Sequence, residues 1–189
     1  MNEKTRCWWC GDDPLYQQYH DEEWGVPIYD GEQLFEMLNL EGAQAGLSWI
    51  TILRKRENYR KAFDNFDAKK IARYSDKRIA KLLQNEGIVR NRLKVNAFVT
   101  NARLYIDMEK NGESFSEYLW SFVNGKPVIN QWKKTADVPA TTEESDMMSK
   151  SLKKRGFKFV GSTICYAFMQ ASGMVNDHTL DCFRHAELN

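Results

Sequence analysis

An all-α fold is the expectation for this 189-residue chain, on three grounds. Apolar residues recur at three- and four-residue spacing over most of its length. No segment sustains the period-two alternation of a half-buried strand, and residues that start or stop helices recur at helical intervals.

Taken in order, Asp13-Pro14 opens the first helix, with proline at the first helical position. Leu15, Tyr16 and Tyr19 follow, until Gly25-Val26-Pro27 stops it. A second helix begins near Asp30 and runs through LFEMLNLEGAQAGL. A third, from Ser48, turns Trp49, Ile52, Leu53 and Phe63 inward. Short helices fit after Asp67 and Ser75, ending around Asn85-Glu86-Gly87. From about Val89 to Lys110 a long helix presents Leu93, Ala97, Thr100, Leu104 and Met108 as its apolar stripe. Asn111-Gly112 and Asn124-Gly125-Lys126-Pro127 read as turns flanking a short helix with Tyr118 to Val123. Thr141-x-x-Glu144 is a capping box, and Lys153-Lys154-Arg155-Gly156 closes the helix it opens. The last long helix spans roughly Ser162 to Ser172 with Gly173 as its stop, and a terminal turn carries His178 and Cys182. Residues 1–189 form one domain in this reading, with 124–140 as a seam between sub-lobes.

Forty-two percent hydrophobic and 28% charged residues describe an ordinary soluble protein. The start lacks the apolar run of a secretory signal, and no stretch approaches membrane-spanning length, so a cytoplasmic location is expected. The net charge of +1 conceals a strong division. Residues 1–50 carry two basic and ten acidic side chains, residues 51–110 carry sixteen and seven, and residues 111–189 carry nine of each. Arg54-Lys55-Arg56, Arg60-Lys61 and the series Arg90, Arg92, Lys94 could therefore lie against a polyanion; the plain alternative is a solvated helix face.

The chain has three histidines and four cysteines, crowded toward its ends. Cys7 and His20 lie near one terminus and His178 and Cys182 near the other, a Cys2His2 set suited to tetrahedral zinc. His178 and Cys182, four apart, would share one face of a helical turn. Cys10 competes with Cys7, and His185 with His178, because their spacings also suit ligands. Four protein ligands leave no open position, so a structural site is expected over a catalytic one. The alternative is core cysteines and ordinary histidines.

Glu41 is out of place. Leu34, Leu38, Glu41 and Ala45 fall at helical spacing, which puts a carboxylate on an apolar stripe. Burying an ionised group costs several kcal/mol unless it is paired or hydrogen-bonded. Glu41 therefore either accepts backbone N–H groups near Ser48 or faces a pocket. Trp8, Trp9, Tyr16, Tyr19, Trp24 and Trp49 surround it in the sequence, and Tyr16 and Tyr19 share a helix face. Flat rings around one carboxylate suit a cationic planar ligand such as a nucleobase, although aromatics at helical spacing also simply build cores.

Four strings, PLYQQYHDEEWGVP, LFEMLNLEGAQAGLSWITILRKRENYRKAFDNFD, GIVRNRLKVNAFVTNAR and SKSLKKRGFKFVGSTICYAFMQASGMVNDH, together resemble the 3-methyladenine DNA glycosylase type I family, from about Cys7 to Cys182. The resemblance implies a helix-hairpin-helix glycosylase fold. It also implies a structural zinc that holds the terminal segment 1–30 to 174–189 through Cys7, His20, His178 and Cys182. Glu41 would be the pocket carboxylate, Tyr16, Tyr19 and Trp49 the base-contacting aromatics, and Trp9 a further lid. The hairpin would fall within about 76–110, at Asn85-Glu86-Gly87-Ile88-Val89-Arg90. DNA phosphate would then dock on backbone N–H groups of Gly87 and of a helix start at Ile88 and Val89, flanked by Arg90 and Arg92. Phe183 to Asn189 departs most from the family and receives no assignment.

The implied reaction is hydrolysis of the bond between deoxyribose and N3-methyladenine in double-stranded DNA. It releases free 3-methyladenine and leaves an abasic site. A monomer suffices for this chemistry. Asp107, twenty residues after Gly87, matches a catalytic aspartate of the wider superfamily but ranks below Glu41. The rival readings are a non-catalytic, zinc-stapled DNA-binding protein and a zinc hydrolase, the latter disfavoured by a fully occupied ligand set.

Overall fold

The protein's structure is a computed structural model that describes residues 4–189, so the first three positions of the terminal segment 1–30 lie outside the described residues. It is dominated by ten α-helices. The first three are α1 (Pro14–Glu22), α2 (Gly31–Gln44) and α3 (Trp49–Ala62), followed by the short α4 (Ala68–Ile71) and α5 (Asp76–Leu82). Then come the long α6 (Arg92–Lys110), α7 (Phe115–Trp120), α8 (Glu143–Arg155), α9 (Ser162–Ala171) and α10 (Phe183–Glu187). The all-α expectation needs one amendment: β1 (Val128–Ile129) and β2 (Val175–Asn176) pair in parallel.

Side-chain caps explain where most of these helices begin. Asp13 accepts from the amides of Leu15 and Tyr16, Asp30 from Gln33, Asp67 from Lys70 and Ser75 from Arg78. Each cap satisfies an amide that the helix itself leaves without a partner. The capping box of α8 is Thr142 with Ser145, one residue later than Thr141 with Glu144. Gly156 closes α8 in the left-handed region at φ 99°, where a residue without Cβ is unstrained.

Helix α2 runs through the middle of the core. Leu34, Phe35, Leu38, Leu40 and Ala43 are at most 1% exposed, because α3, α6 and α9 all pack around it. Lys94, near the start of α6, donates from Nζ to the carbonyl oxygens of Ala43 (2.7 Å) and Ala45 (2.6 Å), so a cation satisfies the carbonyl end of α2.

Helix α6 starts at Arg92 with Asn91 as its cap, three residues after the expected start at Val89. Its inward stripe also differs from the expected one. Leu93 is 70% exposed, while Val95, Phe98, Val99, Ala102 and Tyr105 are buried with Ala97 and Met108. The segment expected as a seam is laced to the C-terminal end. Val128 N–H donates to the Met174 carbonyl, Asn130 N–H to Asn176, and Leu180 N–H to Trp132. His178 and Cys182 sit on an irregular turn between β2 and α10 and not on one helical face; they converge because Cys182 N–H bonds the Thr179 carbonyl.

The two termini also meet through backbone. Gly25 N–H donates to the Gln170 carbonyl and Ile28 N–H to that of Ser172. Gly173, at φ 68°, lies so close to Val26 and Pro27 that a Cβ there would stand 2.4 Å from their backbone atoms.

Candidate active site and metal cluster

Helices α1 and α2, the start of α3 and helix α9 enclose a cavity of about 200 Å³. An apolar cavity of about 150 Å³ already accepts a benzene ring, so this one has room for a two-ring base. Tyr16 and Tyr19 come from one face of α1, Glu41 from α2 and Trp49 from the first turn of α3. Trp9 and Trp24 come from the segments before and after α1. The rings contact one another at the rim and wall. Trp9 meets Tyr16 and Trp24 edge-on at 4.9 Å, Tyr16 and Tyr19 lie 6.5 Å apart at 29°, and Tyr19 lies 5.5 Å from Trp49.

Glu41 is 4% exposed. Burial alone pushes its carboxyl up to about 8, with no hydrogen bond or charge offsetting the loss of water. The backbone-capping alternative for Glu41 is set aside because no backbone N–H near Ser48 donates to its carboxyl among the described residues, and the carboxyl lines the cavity. Burial, reinforced by Glu41, also raises the Tyr16 phenol to about 12 and the Tyr19 phenol well above its ordinary range. Both tyrosines are neutral donors near neutral pH. Three buried donors of this wall, Trp9 Nε1, Tyr19 Oη and Trp49 Nε1, find no acceptor within the described residues. Buried polar atoms are nearly always satisfied in folded proteins, so three orphan donors around one orphan carboxyl form a place that could receive a polar ligand.

Behind this wall, Cys7, His20, His178 and Cys182 are all buried and bring their donor atoms within 4.8 Å of one another, a set that could hold a metal ion. Cys182 Sγ lies 3.4 Å from His20 Nε2 and from His178 Nδ1, and Cys7 Sγ lies 3.5 Å from His178 Nδ1. The far ring nitrogens are anchored as metal-binding imidazoles require. His20 Nδ1 meets Asp21 Oδ1 at 2.8 Å, and His178 Nε2 meets the Trp24 carbonyl at 3.0 Å. The Cys7 thiol is pushed up and the Cys182 thiol down, chiefly by the hydrogen bond between them. The competitors are engaged elsewhere: Cys10 Sγ donates to the Cys7 carbonyl, and His185 Nε2 meets the Asn130 carbonyl. The cluster adjoins the cavity, because Trp9 packs on His20 and Trp24 on His178.

The connection 83–91 between α5 and α6 differs from expectation. The amide of Gly87 donates to Asn85 Oδ1, that of Ile88 to the Asn85 carbonyl and that of Val89 to Tyr59 Oη. These three amides are consumed inside the protein, and Ile88 is buried. The first-turn amides of Arg92 and Leu93 are the ones the helix leaves over. Arg90 approaches Glu86 at 3.9 Å, whereas Arg92 is exposed and has no acidic partner among the described residues. Three cations of the remaining basic block, all on α3, are turned toward the acidic N-terminal third. Arg54 pairs with Asp13, Arg56 with Glu23 and Arg60 with Glu36. Lys55 donates to the Glu86 carbonyl.

The family profile described as methyladenine glycosylase matches residues 9–185. The chain belongs to the methyladenine glycosylase family. It is 55% identical over 177 residues to DNA-3-methyladenine glycosylase 1 of Escherichia coli (strain K12), covering 94% of this chain and 95% of that protein. A crystal structure of 3-methyladenine DNA glycosylase I superposes with a TM-score of 0.94 at 56% identity, covering 95% of this chain and 98% of the other. A variant of such an enzyme in complex with 3-methyladenine superposes at 0.90 with 40% identity, covering 94% and 96%.

In this member of the methyladenine glycosylase family the cavity gathers Glu41, Tyr16, Tyr19, Trp49 and Trp9, while Asp107 is exposed on α6, away from the cavity. The sequence reading missed Gln170, Asp177 and Thr135, which also line it. Gln170 follows Tyr166 by four on α9 and Asp177 stands beside His178, but neither spacing carries a chemical signal without the fold.

Proposed function

We propose that the protein is a DNA repair glycosylase that hydrolyses the N-glycosidic bond of 3-methyladenine in alkylated double-stranded DNA, leaving an abasic site and free 3-methyladenine. The observation that carries this reading is the unpartnered carboxyl of Glu41 inside an aromatic cavity of purine size. Methylation at N3 makes the base in DNA a cation and weakens its pairing and stacking, which lowers the cost of swinging it out of the duplex. Tyr16, Tyr19 and Trp49 enclose the extruded ring, Trp9 covers it, and Glu41 accepts a hydrogen bond from its edge. A cation beside Glu41 favours the ionised carboxyl, so binding expels the proton that Glu41 holds in the free protein. As the glycosidic bond breaks, its electron pair neutralises the ring and charge passes to the sugar. Water then adds to the anomeric carbon and loses a proton. Since the leaving group is already activated, enclosure and electrostatics suffice for much of the rate.

The residues present fit zinc. Bonds of about 2.3 Å to sulfur and about 2.0–2.1 Å to nitrogen in a tetrahedron require sulfur–nitrogen edges of about 3.5 Å, matched by Cys182 with both histidines and by Cys7 with His178. With four protein ligands the ion is structural, supplying a clip that keeps Trp9 and Trp24 against the cavity. Residues 1–189 act as one domain, with α5, the connection 83–91 and α6 as the helix-hairpin-helix that holds DNA. Phosphate docks on the first-turn amides of Arg92 and Leu93 beside the Arg92 and Arg90 side chains, with the turn of Gly87, Ile88 and Val89 as its rigid support. A monomer is sufficient. No helix among the described residues is long and apolar enough to cross a membrane, and four buried free cysteines suit a reducing cytoplasm.

The test is release of free base from duplex DNA containing N3-methyladenine, measured with and without a chelator, alongside zinc content per chain. Release that persists under chelation until the protein unfolds, with one zinc per chain, is expected. Binding of DNA without release would establish the non-catalytic reading, and loss of activity from folded protein on metal removal would establish a zinc hydrolase.

A further inference from the structure

We propose that Gln170, held in one orientation by Asp177, is a second reader of the extruded base, an acceptor that selects the 6-amino group of an alkylated adenine over the 6-oxo group of an alkylated guanine. The proposal rests on the glycosylase function above and deepens it.

Asp177 is 2% exposed and lies on the cavity wall. Four neutral donors converge on it. Asn130 Nδ2 and Trp132 Nε1 each donate to Oδ1 at 2.7 Å, while the Tyr166 hydroxyl at 2.5 Å and Gln170 Nε2 at 2.9 Å donate to Oδ2. A carboxylate accepts and does not donate, and here its acceptor positions are filled from two segments, the strap through Asn130 and Trp132 and helix α9. No cation pairs with Asp177 among the described residues, so donors alone hold it.

This fixes Gln170. The two ends of a glutamine amide are interchangeable in shape, and their assignment follows from the hydrogen-bond partner. Against Asp177 only the NH2 end is tolerated, because the reversed amide would set two acceptor oxygens 2.9 Å apart in a buried site where such a loss costs most. Oε1 therefore points away from Asp177, makes no hydrogen bond within the described residues, and belongs to a side chain that lines the same cavity as Glu41.

Glu41 and Gln170 then play unequal roles. The Glu41 carboxyl, raised to about 8, holds a proton in the free protein and loses it beside a cationic base, so its hydrogen-bonding sense follows its protonation state. Gln170 has no such freedom, since its exposed end only accepts. A 6-amino group satisfies it, whereas a 6-oxo group confronts it with a second acceptor. A site with built-in hydrogen-bond polarity rejects the mismatched partner far more strongly than a site built on shape alone.

The experiment measures kcat/KM for release of 3-methyladenine and of 3-methylguanine from methylated duplex DNA by the full chain and by Gln170→Leu and Asp177→Asn. The ratio of the two rates on one preparation cancels any change in the fraction of folded protein. Gln170→Leu is expected to lower the ratio at least about tenfold, through slower adenine release with guanine release held or increased. Asp177→Asn, which frees the amide to turn over, lowers it in the same direction. If Asp177→Asn does not fold, Gln170→Leu decides alone, since its side chain borders the cavity. A ratio unchanged in Gln170→Leu, whether both activities fall together or neither does, overturns the proposal. Absence of 3-methyladenine release by the unaltered chain would instead refute the glycosylase function on which it rests.

Discussion

Glu41 costs the fold stability. An unfolded glutamate titrates near 4.5 and the buried one near 8, so the folded protein holds a proton that the unfolded chain has lost across that interval. Stability is therefore greatest below pH 4.5 on this account, falls as pH rises through the interval, and levels off above 8. Glu41→Gln removes the dependence. Calorimetric unfolding is expected to give similar stabilities for the two proteins near pH 5 and a variant more stable by several kcal/mol, on the order of a few pKa units of linkage, near pH 9. The same variant should lose at least about a hundredfold in kcat/KM on methylated DNA, because it cannot become anionic beside the cationic base. Parallel pH–stability curves for the two proteins would show that the carboxyl is not held in this environment. Glu41 was legible in the sequence because it broke an apolar stripe. The direction of Gln170 was not, because it depends on Asp177, a residue brought beside it only by β2 and the strap through Trp132.

At the scale of elements, the decisive seam is the turn after α9. Gly173 combines a left-handed backbone with contact against Val26 and Pro27, where a Cβ would stand 2.4 Å from backbone atoms that cannot rotate away. Gly156 shares the left-handed φ, but its nearest obstacle is the flexible Leu104 side chain at 3.6 Å. Gly156→Ala is therefore expected to cost about 1 kcal/mol in chemical denaturation, the conformational contribution alone. Gly173→Ala should cost more than about 2 kcal/mol and loosen the terminal junction; equal costs would mean that the seam yields. Helix boundaries with an acidic or hydroxyl cap were readable in advance, as Asp13, Asp30, Asp67 and Ser75 demonstrate. The start of α6 was not, because the apolar run Ile88-Val89 looks helical while Asn91 provides the actual cap and the intervening amides bond to Asn85 and Tyr59. The stripe starting from Leu93 was one of two that the apolar residues of α6 allow, and the face carrying Val95, Phe98, Ala102 and Tyr105 is the one that packs, which leaves Leu93 exposed. Two-residue strands such as β1 and β2 have no periodicity to read.

Across the whole molecule, part of the basic middle third answers the acidic first third, through Arg54, Arg56 and Arg60 on α3. Arg56 holds both carboxylate oxygens of Glu23 with 15% of its side chain exposed, and Arg60 bridges Glu36 and Glu57. These cations join α3 to α1 and α2, so they stabilise the enclosure of the cavity and offer little to DNA. Charge for a phosphate backbone is available at the start of α6, where exposed Arg92 stands without an acidic partner among the described residues, beside two first-turn amides that the helix leaves over. Counterion release by each neutralised phosphate sets the salt slope of binding. Arg92→Ala should weaken DNA binding uniformly across sequences and reduce the slope of log affinity against log salt by about 1. Arg56→Ala should leave that slope unchanged and lower thermal stability, since it strands Glu23 at a partly buried pair. Anisotropy titrations of a fluorescent duplex between about 50 and 200 mM salt distinguish the two. A slope that responds to Arg56→Ala and not to Arg92→Ala would place DNA on the α3 face, because only cations that touch phosphate alter the number of ions released.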